Sequence, residues 1–217
     1  MKRIFLNILA AVILAVFFSV ETVIAGKMTI KFQPGSKGNI KIGLAGNGKV
    51  RINWGEQGSL ISMYELDESS ELDEFTYYGY FYSSTSVHTI TITGENVTYL
   101  DCSTLSIIDL DVSNNPELTV LWCANSQLTT LDVSRNTALK SLDCSQNQLM
   151  TLDVSQNTSL EFLNCSHNRL TTLDVSQNKA LTELHCSNNR LSSLNVSRNT
   201  ALNALSYDKD SVKLITR

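Results

Sequence analysis

Five cysteines, Cys102, Cys123, Cys144, Cys165 and Cys186, each stand 21 residues from the next, and the chain has no others. Thiols at such spacing offer a disulfide, a metal centre or a nucleophile. Equivalent positions of a stacked repeat lie about 4.8 Å apart with parallel side-chain vectors. A bridge wants Cβ atoms converging to about 3.8 Å, and zinc wants about four ligands meeting at one point. A straight ladder supplies neither convergence. Catalysis fits no better. His185 adjoins Cys186, but neighbours on a strand point to opposite faces, which separates imidazole from thiol. His88 and His167 have no Cys or Ser arrangement to join, and no glycine-rich phosphate loop or nucleophile elbow occurs. The cysteines therefore read first as small hydrophobes in a narrow core position. A bridge between some pair is the second reading and a metal site the third.

A column of Asp111, Asp132, Asp153 and Asp174, continued by Asn195, follows the same spacing. Stacked carboxylates raise the question of calcium. The glycine-rich turns and second-side ligands of calcium-binding β-helix repeats are absent from this pattern. Asp before Ser beside a turn accepts local backbone hydrogen bonds, which is the preferred reading. No cofactor is expected.

The elements that must position these residues come from the repeat. Around each Cys the register holds Leu at −2, Leu or Ile at +5 and +8, Val at +10, Asn at +13 and Leu at +16. Asn also occupies +3 at Asn147, Asn168 and Asn189, where the first two units carry Leu105 and Ser126. One further step reaches Tyr207, with Leu202 and Leu205 before it and Val212 and Ile215 after, a degenerate last turn. A strand alternates faces with period two, so Leu142 and Cys144 point inward while Ser141, Asp143 and Ser145 point outward. Leu152 and Val154 repeat the inward pattern on the way back. Each unit is thus a flattened coil with two extended sides, turning at Asn147 and Asn157, and coils must stack to share a core. The asparagines follow from the same geometry, because a chain turning inside a solenoid leaves backbone groups that need buried partners. Sides of similar length predict little curvature and no helices on the back, with front strands centred on the residue before each Cys.

The in-register units over 97–217 resemble the leucine-rich repeat family, and more narrowly the short Cys- and Asn-containing arrays of secreted Bacteroidetes-type proteins. That resemblance implies a mainly β leucine-rich-repeat solenoid of five 21-residue coils plus a partial sixth. It also implies a recognition role, without identifying a ligand.

Between 27 and 96 the repeat vanishes and alternation takes over in MTIKF, NIKI, KVRINW, SLISMY and HTITITG, separated by glycine-containing turns. These are strand and hairpin signals. FTYYGYFY (75–82) reads as a strand with part of its face buried, and ELDESSELDE (65–74) as a solvated acidic insertion. Trp54-Gly55-Glu56-x-Gly58 resembles the W-G-D-G turn of PKD-like β-sandwich domains, with Glu56 in place of the usual Asp. A small β-sandwich-like domain at 26–96 would cap the apolar end of the first coil.

Composition bounds the rest. A net charge of −4 without a basic patch carries no nucleic-acid signal. Lys2 and Arg3, the apolar run from Ile4 to Val20 and the small-residue exit at Ala25 predict a leader over 1–25, and no later segment has the length to span a bilayer. The protein is therefore expected to be exported to the periplasm, the cell surface or the medium.

The repeat fixes the core but leaves the outward columns of the front strands free to vary. These carry Tyr99, Asp101, Val120, Trp122, Asp143, Phe162, Asn164, Glu183 and His185. Aromatics beside carboxylates are the composition of a recognition surface. The alternative for Trp122 is packing over Tyr99 and Val120 near the cap. The leading functional expectation is a non-enzymatic recognition protein binding a protein or glycan through this sheet. The alternative is a structural component of a surface assembly with no discrete ligand. Oligomeric state is left open.

Overall fold

The computed structural model describes residues 26–55, 61–66 and 75–216. The predicted leader, the Glu56–Gly58 part of the turn and most of the acidic insertion (67–74) lie outside the described residues. Among the described residues fourteen strands follow in order: β1 (Lys27–Phe32), β2 (Gly38–Asn53), β3 (Ser62–Leu66), β4 (Thr76–Tyr82), β5 (His88–Thr93), β6 (Asn96–Asp101), β7 (Ile107–Asp111), β8 (Val120–Trp122), β9 (Ser141–Asp143), β10 (Phe162–Asn164), β11 (Glu183–His185), β12 (Ser193–Asn195), β13 (Ala204–Ser206) and β14 (Lys213–Ile215). No helix occurs among the described residues. The array is a β-solenoid.

The front of the solenoid is a parallel ladder in the order β6-β8-β9-β10-β11-β13. Its rungs join residues one repeat apart, as in Leu121↔Leu142 and Leu163↔Leu184. The strands centre on these leucines, one residue earlier than the sequence predicts, because pairing begins at Val120, Ser141 and Phe162. Bonding then carries through the cysteine, whose N–H donates to the next coil (Cys144 N to Asn164 O, 2.9 Å). Strand pairing on the back is sparser and is confined to β7 with β1 and β12 with β14.

All five cysteines are free thiols and buried in one continuous core with the leucines and valines. Burial pushes the Cys123, Cys144 and Cys165 thiols well above their ordinary range. At the less enclosed end, burial pushes Cys186 up to about 12.

Each front strand leaves the sheet through a residue in the left-handed region at Cys+2. These are Thr104, Asn125, Gln146, His167 and Asn188, with φ between 52° and 64°. The predicted turn residue, Asn147, sits one position later and acts as the anchor. Its Oδ1 accepts from Leu128 N (2.9 Å), and its Nδ2 reaches the carbonyls of Cys123 (3.0 Å) and Cys144 (3.1 Å). Asn168 and Asn189 repeat the pattern. At the other corner Asn136, Asn157, Asn178 and Asn199 donate to two carbonyls each in the preceding coil. The asparagines tie each coil to the one before.

The N-terminal region departs from the predicted string of hairpins. NIKI and KVRINW are one strand, β2, because the intervening glycines bend the chain without reversing it. Gly46 (φ 151°) and Gly48 (φ 94°) absorb the bend, where the register with β6 shifts between Ala45 and Gly46. The first half of β2 pairs with β4 and β6, and the second half with β3 and β5. Trp54, Tyr82, Phe32 and His88 pack inside the bend; Trp54 stacks on Tyr80, and the Tyr82 hydroxyl donates to the Trp54 carbonyl (2.5 Å). The first coil meets this region along both sides, since β6 pairs with β2 and β7 pairs with β1. That arrangement closes an edge which would otherwise be open to aggregation.

The last coil is closed differently. Tyr207 replaces Cys, and the Asp208 carboxylate accepts the N–H groups of Asn188 (2.9 and 3.0 Å) and Asn189 (3.4 Å). In inner coils the equivalent N–H donates to a carbonyl of the next coil, as His167 N does to Ser187 O (2.9 Å). A side chain stands in for the missing coil.

The outward Asp column lies on the back. Asp132, Asp153 and Asp174 each accept the N–H of the serine two residues on, at 2.8–2.9 Å. That backbone bond is the main cause holding the three carboxyls below their ordinary range. A depressed folded-state pKa gives stability that is present above the unfolded value of about 4 and lost as pH falls through the folded one. The carboxyls are largely exposed, so solvent screening keeps the effect small. Asn195 makes the same bond to Ser197 N (3.0 Å) without a charge. Asp153→Asn is therefore expected to leave the melting temperature at pH 7 nearly unchanged and to flatten its decline below about pH 4. A clear loss at pH 7 would show that the charge matters more than the acceptor.

Candidate functional site

The front sheet extends beyond the array. Because β6 pairs with β2 and β2 with β4, the outward columns continue onto the N-terminal strands. One row across the sheet runs Tyr77, Gly43, Asp101, Trp122, Asp143, Asn164, His185 and Ser206. The next includes Ala45, Tyr99, Val120, Ser141, Phe162, Glu183 and Ala204.

This continuation divides the predicted surface. Tyr99 and Val120 form a second buried cluster with Ala45, against which Phe75 and Trp122 pack. The Phe75 ring stacks on Tyr99 (centroids 4.4 Å, interplanar angle 12°). Tyr99 also meets the Trp122 ring edge-on at 5.4 Å. Asp101 is buried as well: one oxygen accepts from the Tyr77 hydroxyl (2.8 Å) and the other from Ser103 N (2.9 Å). Burial, followed by the bond to Asp101, raises the Tyr77 hydroxyl above its ordinary range. Tyr99, Asp101 and Val120 are thus covered, contrary to the expectation of an exposed front column. The cause is Phe75 and Tyr77 arriving from β4 and the residue before it. Gly43 makes room for that cover, since a Cβ there would lie 3.0 Å from the Phe75 ring and 3.2 Å from Asp101 Cβ.

What remains open is a patch over β8 to β11. Trp122 is half-buried, and its indole N–H donates to Ser141 Oγ (3.3 Å). Asp143, Phe162, Asn164, Glu183 and His185 are all partly exposed on the same face. Asn164 bridges its neighbours, donating to Asp143 Oδ2 (3.3 Å) and accepting from Ser166 Oγ (2.7 Å). Glu183 Oε1 lies 2.6 Å from His185 Nε2, and the His185 ring sits 5.9 Å from that of Phe162. Side chains held by such local bonds lose less freedom when a partner binds, which favours affinity.

The Cys186 thiol beside His185 is buried on the opposite face of its strand. Among the described residues no three His, Cys, Asp or Glu side chains converge as metal ligands do. A concavity of about 690 Å³ does open elsewhere, between β2, β3 and β5, with Lys49, Arg51, Met63 and Thr91 in its walls. Sequence alternation alone gave no sign of this cavity, because its walls come from three strands. Phe75 and Tyr77 were also missed as partners of the front columns, although FTYYGYFY already puts both on one face.

Residues 158–206 match the family model described as leucine-rich repeats (2 copies). No curated protein matches the chain. Among solved structures, the chain is similar to the functional domain of InlJ from Listeria monocytogenes, described as including a cysteine ladder. Identity is 45% over 54% of this chain and 27% of that one, with a TM-score of 0.52. An internalin from the same organism shares 23% identity over 48% of this chain and 32% of that one, with a TM-score of 0.41. The chain thus spans about a third or less of the length of either structure. Residues 158–206 thus match leucine-rich repeats, and about half of the chain is similar to the InlJ domain.

Proposed function

We propose that the protein is a non-enzymatic recognition protein that binds a protein partner through the open part of its front sheet, from Trp122 to His185. One observation carries the reading. The core columns and the asparagine corners are nearly invariant from coil to coil, whereas the exposed front positions place Trp122, Asp143, Phe162 and Glu183 on successive coils. An aromatic beside a carboxylate, twice over, offers apolar area and directional acceptors to a partner. Export to the cell surface or the medium is part of the same proposal, as is the assignment of 26–96 to a capping domain and 97–217 to the solenoid. A glycan partner is the second form of this reading, since exposed aromatic rings also serve sugars.

The test is a binding screen of the purified protein against secreted and surface proteins and against glycans, with two variants alongside. Phe162→Ala with Glu183→Ala alters the front, and Met150→Ala alters the exposed back. A central interface aromatic costs about 2 kcal/mol when truncated, roughly thirtyfold in affinity. The front variant is expected to lose binding by that factor while the back variant keeps it. Equal affinity for all three proteins would remove the front sheet from the account.

A further inference from the structure

The open patch over β8 to β11 carries charge of one sign. Asp143 and Glu183 lie on it, and neither of its two rows holds a Lys or Arg. The column that follows the cysteines, Ala124, Ser145, Ser166 and Ser187, is uncharged. On the other flank the exposed Lys140 is offset by the exposed Glu161 one coil on. Among the described residues neither Asp143 nor Glu183 meets a Lys or Arg. Their side-chain partners are Asn164 (3.3 Å) and His185 (2.6 Å).

Each carboxylate also has an aromatic ring one coil before it in the same row, Trp122 before Asp143 and Phe162 before Glu183. Both rings are partly exposed. One coil is about 4.8 Å, and two residues of strand about 6.8 Å, so the second pair repeats the first about 12 Å away across the sheet. A cation seated on such a pair meets the face of a ring and a carboxylate together, and both attract it. An anionic partner is repelled by both pairs, and a neutral sugar uses the rings alone. Side chains four residues apart on one face of an extended segment are about 13 Å from each other, which matches the spacing of the pairs.

We propose that the patch takes a basic segment of a protein partner and seats two arginine or lysine side chains, one between Trp122 and Asp143 and one between Phe162 and Glu183. This inference rests on the front sheet being the recognition face and adds the chemistry that the face accepts. The net charge of −4 draws such a partner from a distance.

The probe is a synthetic Gly/Ser peptide with two arginines four residues apart, and the control carries glutamine at both positions. Of the two tryptophans, Trp54 is 1% exposed, so a change in emission reports Trp122. The arginine peptide is expected to change that emission saturably at low salt, and the glutamine peptide to leave it unchanged. Affinity for the arginine peptide is expected to fall about threefold or more in about 0.5 M salt, which screens exposed charges. It is expected to fall about tenfold or more in Asp143→Asn with Glu183→Gln, where shape is kept and charge removed. That variant keeps the turn, because Asn164 already accepts from Ser166 N (3.2 Å) as Asp143 does from Ser145 N (2.9 Å). No response to the arginine peptide, an equal response to both peptides, or unchanged affinity in the variant would overturn the proposal. Phe162→Ala with Glu183→Ala tests the face separately. If it loses the partner from the screen while Asp143→Asn with Glu183→Gln keeps it, the face stands and the basic occupant falls. If both variants keep the partner, both readings fall.

Discussion

Replacing Asn168 by alanine lowers the melting temperature by about 10 °C. The side chain is buried and serves four backbone groups. Its Oδ1 accepts from Leu149 N (2.9 Å), and its Nδ2 donates to the carbonyls of Cys144 (3.0 Å), Cys165 (3.1 Å) and Ser166 (3.3 Å). Alanine leaves the Leu149 N–H and at least one of these carbonyls buried and unpaired. Each such group costs about 1–3 kcal/mol, so the loss is about 3–5 kcal/mol. At about 2–4 °C per kcal/mol for a chain of this size, the shift follows. Ser126 supplies the internal comparison, since its hydroxyl accepts from Ile107 N (3.3 Å) at the equivalent corner without the amide's donors. Asn168→Ser should therefore lose clearly less than Asn168→Ala. Thermal melts followed by circular dichroism decide this, and a loss below about 1 kcal/mol for alanine would reduce the asparagine row to a minor contributor.

Gly46→Ala is expected to be at least as damaging, for a steric reason. Gly46 has φ 151°, and a Cβ there would sit 2.0 Å from the Asn96 carbonyl oxygen. That distance is an overlap with backbone, so β2 and β6 must separate. These two strands join the N-terminal region to the first front coil, and their separation uncovers the apolar end of the array. A cost of about 3 kcal/mol or more places this among the severe single substitutions. The outcome is read from denaturant unfolding, with a lower midpoint and early exposure of Tyr99. Gly35→Ala is the control, because nothing lies within 4 Å of its Cβ position.

The coils were legible because the repeat writes one local geometry five times. Leu at −2 and Cys at the register position fall on the same face of a strand, and both are buried in every full coil. The asparagines were legible as backbone partners for the same reason. The left-handed turn at Gln146 was not, since side chains as different as Thr, Asn, Gln and His fill that position. The bend of β2 escaped because glycines between two alternating runs suggest a reversal of the chain. Whether they bend or reverse depends on the strand beside them, here β6. Burial of Tyr99, Asp101 and Val120 escaped for a related reason. Alternation fixes which face a side chain takes, but not which distant strand will cover that face. Phe75 reaches Tyr99 only because β2 lies between β4 and β6. Trp122 consequently has two roles: its edge packs against Tyr99 while part of its ring stays open. Phe162 is the cleaner probe of recognition.

Oxidative footprinting of the protein alone and with the partner retained from the screen measures the recognition face most directly. Phe162 and His185 report the front, and Met150, 60% exposed, reports the back. The account predicts that the partner protects Phe162 and His185 while Met150 is labelled as before. Protection of Met150 with unchanged labelling of Phe162 and His185 would contradict it.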